Sequence, residues 1–127
     1  MFRKSVAPLA LMVEDEVVIQ QYLLRSLKPM GLDILIAGHG DQAMRYLEMV
    51  QPDIVLLDIQ LPGENGIALL QRMRLKFPQL PVLMLTALHN DQTAILAKRH
   101  GASDYLTKPI QLETLQRAIK THLLVAL

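Results

Sequence analysis

The stretch Asp53-Ile54-Val55-Leu56-Leu57-Asp58 runs directly into Ile59-Gln60-Leu61-Pro62-Gly63-Glu64-Asn65-Gly66. Between its two acidic ends the first part contains nothing polar. A short apolar run of this kind reads as a strand buried on both faces, as in the middle of a parallel sheet. Asp58 therefore stands at the rim of the core, where open α/β sheets place their chemistry. The Pro-Gly loop after it leads into a helix opened by Asn65 or Gly66. A second acidic cluster, Glu14-Asp15-Glu16, follows the apolar run Leu9 to Val13 in the same way. Carboxylates at two strand ends suggest a site for a hard divalent cation.

Outward from this stretch, strand and helix patterns alternate. Leu9 to Val13 is strand one, and Val17 to Leu27 is an amphipathic helix with Val17, Tyr22, Leu23, Leu24 and Leu27 apolar, ended by Pro29 and Gly31. Leu32 to Ala37 is strand two. Asp41 is placed to cap helix two, with Ala43, Met44, Leu47 and Val50 on its inner face. The Asp58 run is strand three, and helix three carries Ile67, Leu70, Met73 and Leu75 before Pro78. Pro81 to Leu85 is strand four, ending at Thr86. Helix four spans about Asp91 to His100 before Gly101, Tyr105-Leu106 is strand five, and Leu112, Leu115, Ile119 and Leu123 mark helix five. Ala94, Ile95, Leu96 and Ala97 are consecutive and make a poor stripe, so helix four is the one expected to move. Strict alternation implies right-handed crossovers and a three-layer α/β fold with a parallel sheet.

Composition narrows the function. The chain has 127 residues, half of them hydrophobic, with net charge +1 and no cysteine. This fits one domain with a real core, and it offers no global field for nucleic acid or anionic membranes. Without cysteine, disulfides and thiolate metal sites are excluded. The start, Met1 to Val13, mimics a signal peptide but contains Pro8, runs into Glu14-Asp15-Glu16 and lacks a small-residue cleavage site. No apolar stretch is long enough to span a bilayer, so a soluble, cytoplasmic chain is expected.

If the sheet has the doubly wound order 2-1-3-4-5, strands one and three flank the switch point, and Glu14, Asp15, Asp58, Thr86 and Lys108 converge on one rim. Packed carboxylates resist ionisation unless a cation holds them. Mg²⁺, which takes oxygen ligands and bridges carboxylate to phosphoryl groups, suits such a rim. Lys108 and Thr86 add the ammonium and hydroxyl that phosphoryl transfer needs. Taken singly, each residue has a plainer reading: Asp58 as a cap or turn former, Glu14-Asp15-Glu16 as an acidic first turn, Lys108 as a solvated lysine, Tyr105 as packing. The histidines lack ligand spacing and read as surface residues.

Over nearly its whole length the chain resembles the receiver domain of bacterial two-component response regulators, a flavodoxin-like (βα)5 fold. The matching residues are Glu14-Asp15, Asp58 with Leu61-Pro62-Gly63 and Gly66, Thr86-Ala87, and Gly101-Ala102-Ser103-Asp104-Tyr105-Leu106-Thr107-Lys108-Pro109. The resemblance implies that Asp58 is the phosphoacceptor, taking a phosphoryl group from a phosphohistidine on a sensor histidine kinase or phosphotransfer protein. It implies Mg²⁺ (or Mn²⁺) held by Glu14, Asp15, Asp58 and the Gln60 backbone carbonyl. Lys108, Thr86 and Ala87 would surround the phosphoryl group, Thr86 and Tyr105 would form the switch, and Lys108–Pro109 would be a cis peptide. Glu14 stands where the family more commonly has Asp, and Gln60 and Leu88 occupy positions that tune phosphoryl lifetime.

Such a domain is a phosphoacceptor and not an enzyme in its own right. Residues 1–127 read as a single receiver domain, either cut from a longer regulator or carrying a dimer surface in the apolar tail His122 to Leu127. The output surface implied is helix four, strand five and helix five, acting on a partner, a dimer or an absent transcriptional or signalling output domain, with no direct contact to nucleic acid or membrane. A phosphorylation-independent interaction module is the alternative. A nucleotide or flavin binder would want a Gly- and Ser/Thr-rich loop where Glu14-Asp15-Glu16 stands. An aspartate-nucleophile phosphatase would want an acid at Gln60.

Overall fold

The computed structural model describes residues 7–88 and 90–126. The chain forms β1 (Leu9–Val13), α1 (Val17–Leu27), β2 (Asp33–Ala37), α2 (Gly40–Val50), β3 (Ile54–Asp58), α3 (Gly66–Lys76), β4 (Val82–Thr86), α4 (Asp91–Arg99), β5 (Asp104–Thr107) and α5 (Leu112–Ala126). A short 3₁₀ turn, Lys28–Met30, follows α1, and a small antiparallel ribbon pairs Gln60–Leu61 with Glu64–Asn65. The five-stranded sheet is parallel throughout, in the order β2-β1-β3-β4-β5. This is the expected doubly wound arrangement.

The period-2 geometry of the strands divides the core in two. Leu11, Val13, Val55, Leu57, Val82 and Met84 face one side, against Ala43 and Leu47 of α2, Leu69, Leu70 and Met73 of α3, and Ala97 of α4. Ala10, Met12, Ile54, Leu56, Leu83 and Leu85 face the other, against Leu23 and Leu27 of α1 and Leu115 and Ile119 of α5. All five residues of β3 and of β4 are buried. Truncating such a side chain, Leu56 for example, costs about 2–5 kcal/mol.

The helix faces differ from the sequence reading at particular positions. Val17 and Leu75 are exposed, at 65% and 86%. Val17 lies six residues before buried Leu23, about 120° round the helix, and Leu75 lies two past Met73, about 200° round. The face α3 buries runs instead through Leu69, Leu70 and Met73. In α4 only Ala97 is buried, and Ile95 and Leu96 face outward.

Asp41 does not cap α2. The helix starts at Gly40, two residues earlier than a cap at Asp41 would place it, and the cap is His39, whose Nδ1 accepts from the Gln42 N–H at 3.3 Å. Asn65 caps α3 through Oδ1 and the Ile67 N–H at 2.8 Å. Of the other histidines, His122 lies 3.3 Å from Asp104 and His89 lies outside the described residues. Met1 to Val6 and Leu127 also lie outside them, as do the side chains of Leu124 to Ala126, so the expected apolar tail is not described beyond Leu123.

Gly66 fixes how α3 leaves the ribbon. Its N–H donates to the Ile59 carbonyl at 2.7 Å, and a β-carbon there would stand 2.5 Å from the Asp58 carbonyl oxygen and from the Ile59 Cα. Both neighbours are backbone and cannot swing aside. Gly66→Ala is therefore expected to lower stability by about 1–3 kcal/mol. Gly38→Ala, where a β-carbon meets nothing within 4 Å, serves as the control. Urea midpoints of the two variants check this, and equal midpoints would refute it.

Candidate functional site

The ends of β1, β3, β4 and β5 meet at one rim. Glu14 follows β1 directly, and its N–H donates to the Ala37 carbonyl at 3.0 Å, extending the β1–β2 ladder by one bond. Its side chain is buried, at 1% exposure. Asp58 is the last residue of β3, register partner of Leu85, and 3% exposed. Asp58 Oδ1 accepts from the Gln60 N–H at 3.0 Å, and Glu14 Oε2 accepts from the Glu16 N–H at 3.1 Å. One carboxylate oxygen from each of Glu14, Asp15 and Asp58 lies within 4.8 Å of the others.

Lys108 enters from the end of β5, where its N–H donates to the Thr86 carbonyl at 2.6 Å. Its Nζ donates to Glu14 Oε1 at 2.9 Å and to Asp58 Oδ2 at 3.3 Å. The Lys108–Pro109 peptide is cis. Three carboxylates and one ammonium leave this rim with a formal charge of −2. Burial pushes the Glu14 carboxyl above its ordinary value, against the pull of Lys108. Burial would lower Lys108, but the Glu14 hydrogen bond and the charges of Asp58 and Glu14 outweigh it and hold the lysine raised. Both shifts go the same way because the lysine has two carboxylate partners and Glu14 has one ammonium.

The donor set fits a hard divalent cation. Its side-chain ligands are all oxygen, two of the three carboxylates are buried, and one lysine does not balance them. No other group of three or more His, Cys, Asp or Glu among the described residues has this geometry.

Thr86 ends β4 fully buried, and its Oγ1 accepts from the Leu88 N–H at 3.0 Å. The hydroxyl proton remains available to a further acceptor. Tyr105 is half-buried, with its hydroxyl donating to the Leu88 carbonyl at 3.3 Å, and burial raises its phenol above the ordinary range. Leu88 thus links Thr86 and Tyr105. Ala87 is exposed beside the rim.

Two supporting residues carry no sequence signal of their role. Tyr22 reads as an apolar helix position, yet its hydroxyl donates to the Ile110 carbonyl at 2.8 Å and holds the segment that follows Lys108. Gln20 donates through Nε2 to the Glu14 carbonyl at 2.7 Å. The Tyr22 contact joins residues 88 positions apart, so no local pattern announces it, whereas the Gln20 contact is local, six residues on from Glu14 across the turn into α1.

Residues 10–120 match the family described as the response regulator receiver domain. The chain is 36% identical over 105 residues to the luminescence regulatory protein LuxO of Vibrio campbellii, covering 83% of this chain and 23% of LuxO. It is 34% identical over 114 residues to the transcriptional regulatory protein BaeR of Escherichia coli, covering 90% of this chain and 47% of BaeR. The chain thus spans between about a quarter and about half of these relatives' lengths. Among solved structures, the BeF3-activated N-terminal receiver domain of Klebsiella pneumoniae RstA superposes with a TM-score of 0.86 at 33% identity, covering 91% of this chain and 97% of that one.

The Glu14 shift has a pH signature. With its folded-state value raised above the ordinary 4.5, the folded protein binds more protons than the unfolded chain just above that value. Stability from this group therefore falls as pH rises through that window. In chelator-treated protein, Glu14→Gln is expected to gain on the wild type in urea midpoint as pH is raised from the acid side of 4.5 to neutrality. A constant difference across that range would contradict the burial argument.

Proposed function

The chain belongs to the response regulator receiver domain family, and from that premise we propose that Asp58 accepts a phosphoryl group from a phosphohistidine on a sensor histidine kinase or phosphotransfer protein. The observation that carries this reading is Lys108 Nζ within hydrogen-bond reach of both Glu14 and the buried Asp58. An Asp58 carboxylate oxygen attacks phosphorus, the P–N bond breaks, and the histidine nitrogen keeps the electron pair. The product is an acyl phosphate on Asp58, and the domain is the acceptor in this exchange.

Glu14, Asp15 and Asp58, with the Gln60 carbonyl, would hold Mg²⁺ or Mn²⁺. Bound there, the cation neutralises charge developing on the phosphoryl oxygens. Lys108, already raised and fully charged at neutral pH, pairs with the same oxygens, and the small side chain of Ala87 leaves them room. Thr86 donates its free hydroxyl proton to one of them. Because the Leu88 N–H bonds Thr86 and the Leu88 carbonyl bonds Tyr105, a shift of Thr86 toward the phosphoryl group reaches both. That shift alters the surface formed by α4, β5 and α5, which would act on a partner, a second copy or an output domain elsewhere in a longer regulator. Residues 1–127 form the single receiver domain in this reading.

With Mg²⁺ and acetyl phosphate, intact-mass analysis with hydroxylamine trapping is expected to place one label on Asp58. Asp58→Asn is expected to abolish it, and label surviving that substitution would refute the assignment. Lys108→Ala is expected to slow labelling by about 10²–10³-fold, the usual effect of losing one donor to developing charge. Thr86→Ala should leave labelling largely intact while reducing the beryllofluoride-induced shift of the Tyr105 resonances. A full shift in that variant would remove Thr86 from the switch.

A further inference from the structure

The ribbon that carries Gln60 needs an anchor. Two paired residues on each side, Gln60 with Asn65 and Leu61 with Glu64, are too few to hold their own position. Gln60, Pro62, Gly63 and Asn65 are exposed, and Leu61 supplies the buried apolar contact.

Glu64 leaves the ribbon in the direction of α2. Its carboxyl group lies over the first turn of that helix, in the space a β-carbon on Gly40 would need, since such an atom would stand 2.7 Å from Glu64 Cδ. Gly40 itself is buried. A carboxylate beside a helix N-terminus is favourably placed in the helix field. Arg72 of α3 closes the arrangement, with one guanidinium nitrogen donating to Glu64 Oε1 at 2.7 Å and another lying 3.4 Å from Asp41 of α2. Glu64 is 22% exposed and Arg72 44%, so the pair is partly exposed and its own energy is small; its part here is to fix where the carboxylate sits. One side chain thus ties the ribbon to α2 and α3. Gly40 is glycine here to make room for that carboxylate, not to satisfy a left-handed backbone.

We propose that Glu64, seated on Gly40 and clasped by Arg72, is a positioning residue that holds the Gln60 carbonyl at the cation site. The inference rests on the cation reading above. Glu64 touches neither cation nor phosphoryl group, and it acts by fixing the strand opposite Gln60 and Leu61. Outer partners that orient metal ligands typically contribute about 10–100-fold to affinity.

The test is Mg²⁺ titration followed by the amide resonances of residues 14, 15, 58 and 60. It uses the wild type, Glu64→Ala, Arg72→Ala, Gly40→Ala and the Gly40→Ala/Glu64→Ala double variant. Each single variant is expected to bind Mg²⁺ about tenfold more weakly than the wild type. Arg72→Ala is decisive in sign: removing a positive charge would tighten cation binding through space, whereas loosening the ribbon weakens it. Gly40→Ala is expected to weaken binding in the wild type and to change nothing once Glu64 is already alanine. Unchanged or tighter binding in Arg72→Ala would overturn the proposal, as would an equal effect of Gly40→Ala in both backgrounds. Should Gly40→Ala fail to fold alone, Arg72→Ala still decides. A wild type that shows no Mg²⁺-dependent shift would overturn the cation reading and this inference together, whereas a wild-type shift with unaltered variants would overturn this inference alone.

Discussion

Glu14 and Asp58 are buried at the same end of one sheet and share a single ammonium group, with Asp15 close by. Much of the surrounding structure answers that imbalance. Lys108 reaches in from β5, and backbone N–H groups of Glu16 and Gln60 take up carboxylate oxygens. Even so, burial holds Glu14 above its ordinary range. Charges kept near one another in a low-dielectric setting repel far more than they would in water. The rim therefore keeps more negative than positive charge, the condition that suits a cation.

That imbalance is tolerable because the sheet beneath it is rigid. β3 and β4 are buried along their whole length and pinned on both faces by α1, α5, α2, α3 and α4. A close-packed sheet of this kind transmits position well and yields little. The parts free to respond are the connections above it: the loop after Thr86, the ribbon after Asp58 and the segment after Lys108. Each is held by a few identifiable bonds. Leu88 joins Thr86 to Tyr105, Glu64 joins the ribbon to α2 and α3, and Tyr22 holds the Ile110 carbonyl.

Arg74 restrains the connections at the opposite end of the sheet. Its guanidinium donates to the carbonyls of Phe77, Leu80 and Gly101, gathering the turns before β4 and β5 onto α3. Burial lowers its pKa, the cost of placing that cation under two loops. Arg74 thus ties down the turn that follows the C-terminal end of α4, while Asn90 caps its N-terminal end through the Gln92 N–H. The sparse apolar face of α4, in which Ala97 is the buried residue, leaves little packing energy to oppose a shift.

Strand and helix order, the buried character of β3, and the acidic and basic residues at strand ends were legible in the sequence. Apolar runs without alternation mark covered strands, and Pro-Gly punctuation marks their ends, so Asp58, Glu14 and Lys108 could be placed at the rim before any coordinates. Helix faces were less legible. Val17 and Leu75 are apolar but sit off the stripe by helical phase, and His39 displaced Asp41 as the α2 cap because the helix began two residues earlier. What only the tertiary structure decided is how the rim is supported. Glu64 over Gly40, Tyr22 on Ile110 and Arg74 on Gly101 join residues 24, 88 and 27 positions apart. No local periodicity encodes such contacts. They exist because parallel crossovers bring distant turns to the same end of the sheet, where exposed backbone groups and uncompensated charges must find partners.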